Sequence, residues 1–173
     1  MPGHSPPAAR RATDRLLSEL AAEYGECAIL HERVDATPDE RDAAADASVA
    51  VGGAGAWVRD PDGRVLLVDT PDGWAEPARP RRRGEEPVEC ALRAVRECAG
   101  LDATVTGLER VHVRHLDDDT GRPPAPQPFV VLRARASGTP ADGAAWHADL
   151  PEELLYERLT DCAPTGGNGD RTG

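Results

Sequence analysis

The stretch Arg79–Leu101, RPRRRGEEPVECALRAVRECAGL, constrains this chain more than any other. Its second half reads as a helix with marked ends. Pro87 suits a first helical position, where a missing N–H costs nothing. Glu85, Glu86 and Glu89 place negative charge at the end where the macrodipole favours it. Gly100 follows the last periodic residue, as a glycine in the left-handed conformation does. Val88, Ala91, Leu92, Val95 and Ala99 fall in one sector at about 100° per residue, which predicts one buried stripe. Cys90, Ala94, Glu97 and Cys98 fall on a different face. Arg93 and Glu97 are spaced i,i+4, close enough to pair.

These residues resemble the Nudix box, G-x5-E-x7-R-E-U-x-E-E-x-G-U, in which U is a bulky aliphatic. Glu85, Arg93, Val95, Glu97, Gly100 and Leu101 match it without gaps. Three fixed positions depart. Arg79 stands at the first glycine, Ala94 at the first helical glutamate and Cys98 at the last one. The context agrees with the box: an aliphatic run RVLLV, a turn, then Trp74 and Pro77 before the loop. The resemblance covers roughly residues 50 to 160. It implies a mixed-sheet α/β/α sandwich of Nudix type, here with a short helical N-terminal extension.

The resemblance also implies a chemistry. Nudix hydrolases cleave the pyrophosphate of a nucleoside diphosphate linked to another moiety, using water and divalent cations, Mg²⁺ or Mn²⁺. Mg²⁺ takes oxygen ligands, usually carboxylates plus water and phosphate. In that reading Glu97 is a metal ligand, Glu85 an auxiliary one, and Arg93 orients Glu97. The face shared by positions 94, 97 and 98 keeps a single carboxylate, however. Alanine cannot coordinate, and thiolate is a soft ligand. The expectation is therefore a hydrolase left weak or inactive, since the metal's charge stabilisation and water activation are impaired. The alternative is a catalytically silent Nudix-fold module that binds a nucleotide or a protein partner.

Arg79, Arg81, Arg82 and Arg83 stand beside the expected diphosphate position. Guanidinium takes phosphate oxygens in a bidentate fork. Two readings stay open: arginines that clamp a diphosphate in the metal's place, or a solvated run pairing with Glu85 and Glu86.

Composition limits the partners. A net charge of −11 and a pI near 4.9 argue against a general nucleic-acid or membrane-surface role. A small-molecule nucleoside diphosphate derivative is the partner expected, with room for a homodimer. Arginine supplies every basic side chain other than histidine. The absence of lysine fits a salt-adapted protein or a GC-rich genome equally well. Cys27, Cys90, Cys98 and Cys162 form no C-x-x-C pair, which suits a reducing compartment. With no membrane-length apolar run and no signal-peptide core, the default location is cytoplasmic.

Residues 1–12 are Pro-rich and polar and read as disordered. Residues 13–48 read as the extension: a helix from about Thr13 to Glu23 ended by Gly25, a short strand Cys27–Val34, and a second helix Pro38–Ser48. It could cover the sheet, bridge a dimer or recognise substrate. Residues 49–162 form the Nudix-like domain, and 163–173 a flexible Gly-rich tail. Within the domain, Val49–Arg59 is a strand whose glycines mark close backbone approach. Arg64–Thr70 follows the Asp60–Gly63 turn. Trp74 reads as a core or loop anchor. Ala103–Arg114 is a strand with a break near Gly107. Thr120–Pro128 is a loop, Phe129–Ala136 a strand, Ala144–His147 a short strand and Pro151–Leu159 the last helix. His112 and His115 near Asp117, Asp118 and Asp119 suggest metal ligands. Residues three apart on a strand face opposite ways, so a shared ligand set is not expected.

Overall fold

The structure is a computed structural model that describes residues 7–46 and 52–152. Among these residues, three helices pack on one open mixed sheet. In chain order the elements are α1 (Pro7–Tyr24), β1 (Ala28–Asp35), α2 (Pro38–Ala45), β2 (Gly53–Arg59), β3 (Val65–Thr70), β4 (Gly73–Ala75), β5 (Ala78–Pro80), α3 (Pro87–Ala99), β6 (Thr104–Asp117), β7 (Ala125–Arg135) and β8 (Ala144–His147). The strand order is β1-β6-β7-β2-β3-β4, with β5 paired to β2 and β8 to β3. β1 runs parallel to β6 and β2 parallel to β7; the remaining pairs are antiparallel. No helix of the described residues is long and apolar enough to cross a membrane.

The sheet alternates its side chains between two faces. Ala54, Ala56, Val58, Val111, Val113, Val130 and Leu132 point to one face. There they meet Leu20 of α1 and Cys90, Ala91, Val95 and Ala99 of α3 in the main core. Trp57, Val65, Leu67 and Val131 point to the other face and pack with Trp74, Phe129 and Leu150. The helix expected at Pro151–Leu159 lies largely outside the described residues, as does Cys162.

Helix α3 has the bounds its end signals predict. Glu89 accepts the Glu86 N–H at 3.0 Å, and Gly100 adopts φ 68°. The first helix differs. It starts at Pro7, so residues 7–12 are helical rather than disordered. Proline is tolerated in a first turn, the residues after it are good helix formers, and Ala9 and Thr13 are buried. The extension is also more than a helical attachment. Its strand β1 hydrogen-bonds along the whole register from Ala28–Arg110 to Asp35–Asp117 and forms one edge of the sheet.

Strand β7 begins at Ala125, inside the stretch expected to be a loop. Pro126 and Pro128 pair with His115 and Val113 of β6, while β2 joins β7 only from Phe129 onward. The proline-bearing half of β7 thus has one strand neighbour, and a missing N–H is tolerated on the other side. The break expected near Gly107 is present: the β6–β7 register shifts between Val105 and Gly107 and again between Leu108 and Arg110.

The glycines of β2 position the loop before α3. A Cβ on Gly53 would lie 2.6 Å from the Arg79 carbonyl oxygen, and one on Gly55 2.6 Å from that of Pro77. Only hydrogen at these positions lets β5 lie against β2, with Gly53 opposite Pro80 and Ala54 opposite Arg79. Gly52 is more constrained still: its φ is 77°, and a Cβ would meet the Pro128 carbonyl oxygen at 1.8 Å. Gly52→Ala is expected to cost roughly 2–3 kcal/mol, read as a lower denaturation midpoint with unchanged slope.

Candidate functional site

The loop from β5 to α3 and the outer face of α3 form one constellation. Its centre is the pair Arg93–Glu85, each side chain 11% exposed. The Arg93 Nε donates to Glu85 Oε2 at 2.8 Å, and a terminal nitrogen donates to Oε1 at 3.0 Å. The Arg82 backbone N–H also donates to Oε1, at 2.9 Å. Hydrogen bonding from Arg93 is the main cause that holds the Glu85 carboxyl down at about 2, against a partial opposing effect of burial. The same pairing raises Arg93. Arg93 further donates to the Pro80 carbonyl at 2.8 Å, and so ties the helix to the end of β5.

The linkage sign follows from the depressed carboxyl. Its contribution is complete above the ordinary carboxylate value of 4.5 and is lost as pH falls toward about 2. A depression of that size corresponds to roughly 3 kcal/mol. Urea midpoints measured from pH 6 to pH 2.5 should fall steeply for the natural chain. Glu85→Gln should be less stable at pH 6 and show a flatter acid limb.

Glu97 is surrounded by guanidiniums. Arg79 Nε donates to its Oε1 at 3.1 Å, Arg93 to the same oxygen at 3.2 Å, and Arg82 stands 3.7 Å from its Oε2. The Arg79 hydrogen bond is the leading cause of its lowered carboxyl. Of the other arginines singled out above, Arg81 donates to the Glu85 carbonyl at 3.2 Å. Arg83 is exposed. Arg93 therefore gives its strongest contacts to Glu85 and makes a longer one to Glu97, rather than serving only to orient Glu97.

The face assigned to Cys90, Ala94, Glu97 and Cys98 divides in two. Cys90 and Ala94 are fully buried, whereas Glu97 is 39% exposed and Cys98 half-buried. The cause is β5. The Cys90 sulfur lies 3.3 Å from the Arg79 carbonyl oxygen and 3.6 Å from that of Pro80. Burial pushes the Cys90 thiol up, away from a reactive thiolate. The backbone of Arg79 thus sits at Cys90 while its guanidinium reaches Glu97.

These donors do not fit Mg²⁺ or Mn²⁺. A hard dication needs several oxygens, and this turn of helix offers one carboxylate already shared by Arg79, Arg82 and Arg93. At the dielectric of water each guanidinium about 4 Å from a dication costs roughly 2 kcal/mol. Those three repulsions exceed the single attraction to Glu97. Among the described residues, no group of three or more His, Cys, Asp and Glu side chains is placed to hold a metal. His112 accepts from Arg110 at 2.7 Å, while His115 stacks on His31 with centroids 5.2 Å apart. Asp117 pairs with Arg33, and Asp118 with Arg122 and Thr120. Asp117 and Asp118 of the acidic turn are thus ion-paired.

Sequence reasoning missed one buried pair. Glu76 and Arg110, each 3% exposed, meet at 2.8 Å on the second face of the sheet. The Arg110 guanidinium lies 5.7 Å from the Trp57 ring centroid. Burial pushes Glu76 up, and Arg110 opposes it. A glutamate between Trp74 and Pro77 in an otherwise apolar stretch was the available signal. Trp74 is half-buried, packs with this second core and meets His147 edge-on at 4.6 Å.

The NUDIX domain model matches residues 50–159, which is most of the chain. This chain belongs to the NUDIX domain family. A solved Nudix structure shares its fold. A NUDIX hydrolase from Nitrosomonas europaea superposes with a TM-score of 0.51 at 18% identity, over 65% of this chain and 67% of that one. A MutT NUDIX hydrolase from Burkholderia pseudomallei gives 0.48 at 24% identity, over 64% and 93%. An Ap4A hydrolase from C. elegans gives 0.44 at 18% identity, over 57% and 80%. No curated protein matches the chain in sequence. The family generally uses divalent metals such as Mg²⁺.

Proposed function

We propose that this Nudix domain binds the diphosphate of a nucleoside diphosphate derivative through its loop arginines, and that metal-dependent cleavage is lost. One observation carries the reading: Arg79, Arg82 and Arg93 converge on Glu97, the lone helical carboxylate of the degenerate box. Their combined charge outweighs that of Glu97, and Arg81 and Arg83 add to the surplus. The loop is positive within a chain of net charge −11. A diphosphate needs oppositely charged, fork-shaped donors, and guanidinium provides them. Arg82 and Arg83 are the exposed members and supply the contacts; Arg79 is held by Glu97 and Arg81 by the Glu85 carbonyl.

No hydrolytic step is assigned. Arg93 and Glu85 fix the loop on the helix, and the arginines bind and orient phosphate oxygens. The test is ADP affinity by calorimetry in EDTA. Arg82→Ala/Arg83→Ala should weaken binding at least tenfold, since each charge-assisted contact is worth about 1.5–3 kcal/mol. Unchanged affinity in that variant, or rapid Mg²⁺-dependent turnover of nucleoside diphosphate derivatives by the unmodified chain, would refute the reading.

A further inference from the structure

Two imidazoles that the arginine loop does not use meet at the far edge of the sheet. His31 lies on β1 and His115 on β6, and His31 Nδ1 stands 3.0 Å from His115 Nε2. Register explains the meeting. β1 runs parallel to β6 with His31 beside Val113 and Arg33 beside His115, so the two histidines are diagonal neighbours on one face. Strands β6 and β7 separate β1 from β2, against which β5 and the arginine loop are held. The pair therefore does not depend on the function proposed for that loop.

The spacing is the informative quantity. Two nitrogens bound to one zinc ion at about 2.0–2.1 Å in tetrahedral geometry stand roughly 3.3 Å apart. The observed 3.0 Å is close to that with the strands where they are. As it stands, one ring donates its N–H to the lone pair of the other. Moving that proton to the donor ring's second nitrogen leaves two neutral imidazoles with both facing lone pairs available. His31 is exposed, and the terminal torsion of histidine is soft, so its lone pair can turn toward a common point. Burial, then His31 and Arg33, push the half-buried His115 below its ordinary value, which keeps it in the neutral form a metal requires.

The surrounding charges admit a cation. Arg33 is paired with Asp117 at 2.6 Å, and Asp35 stands opposite Asp117 in register. Two carboxylates thus accompany one guanidinium on this face. On the reverse face Glu32 stands opposite Arg114. A net charge of −11 draws cations from a distance. Imidazole suits zinc, whereas Mg²⁺ demands oxygen. No third His, Cys, Asp or Glu joins the pair among the described residues, so the remaining positions fall to water.

We propose that His31 and His115 form a two-histidine site for a borderline divalent cation, Zn²⁺, which ties the edge strand of the extension to β6. With half its shell open to solvent the ion is exchangeable.

The probe is Zn²⁺ alone, followed through the imidazole nitrogen shifts of the full chain at neutral pH. His31 and His115 should shift together and saturate, while His112 and His147 hold still and Mg²⁺ at the same concentration does nothing. Amide exchange across Ala28–Asp35 should slow about tenfold when free Zn²⁺ is about ten times its Kd. His31→Ala, at an exposed position, should weaken the binding read at His115 at least tenfold, and Arg82→Ala/Arg83→Ala should leave it unchanged. Shifts spread evenly over all the histidines, no shift at His31 and His115, or an affinity that His31→Ala leaves untouched would overturn the proposal. ADP binding at the arginine loop is read in EDTA, without zinc, so either site can fail without the other.

Discussion

The triple variant Arg79→Gly/Ala94→Glu/Cys98→Glu is expected to gain Mg²⁺-dependent pyrophosphate cleavage by at least two orders of magnitude over the unmodified chain. The size follows from the barrier: restoring several kcal/mol of charge stabilisation is worth about tenfold per 1.4 kcal/mol. All three changes are needed, because the departures from the box fit one another. Ala94 is fully buried, and Arg79 hydrogen-bonds Glu97 on the same helix. A glutamate at 94 alone would put a carboxylate at a fully buried position while Arg79 stays paired with Glu97. Removing Arg79 frees Glu97 and opens the helix face; the two introduced carboxylates then supply the oxygens a hard dication requires. Ala94→Glu/Cys98→Glu without the glycine should remain close to background and lose stability. If the triple variant stays inactive while it folds normally, the missing donors are not what silences the site.

Breaking the Glu76–Arg110 pair has the largest expected effect on stability. Glu76→Ala leaves the Arg110 charge 3% exposed with its carboxylate gone, and such a loss typically costs about 3–5 kcal/mol. In a chain of this size that is a fall of roughly 10 °C or more in Tm. Glu76→Leu/Arg110→Met should recover most of the loss, because removing both charges avoids the orphaned one. The natural pair is not fully satisfied either: Glu76 Oε2 accepts no hydrogen bond among the described residues. The pair fixes geometry rather than adding net stability. Glu76 lies between β4 and β5, and Arg110 on β6 anchors it across the sheet, so the root of the box loop is held from beneath. A double-mutant cycle by calorimetry checks this; additive losses would refute the coupling.

What could be read from the chain followed local chemistry. Pro87 and Gly100 fixed the ends of α3 because both act on their own backbone. Gly53 and Gly55 signalled close approach, and β5 is what approaches. Gly107 marked a break in β6 at the residue where the register shifts. Long-range placement was harder. Cys90 and Ala94 lie off the apolar stripe yet are buried, Cys90 against the β5 carbonyls, and no periodicity within the helix encodes a strand folded over it. The proline-rich start of β7 resembled a loop because proline's cost depends on whether a second strand pairs there. Cys27–Val34 read as a strand but not as a sheet edge, since the parallel partner of β1 follows in sequence by more than seventy residues. In the candidate site, the deficit of carboxylates was legible at Ala94 and Cys98. The convergence of three arginines on Glu97 was not, because it depends on where β5 aims Arg79.

The most direct measurement is the affinity of the unmodified chain for ADP, determined by calorimetry in EDTA and again in excess Mg²⁺. A site built from arginines binds the bare diphosphate at least as tightly as its magnesium complex, since the cation masks the phosphate charge the guanidiniums need. Equal or weaker binding with Mg²⁺ is the predicted result. Binding at least tenfold tighter with Mg²⁺ would show a metal bridging protein and diphosphate, and would contradict the account.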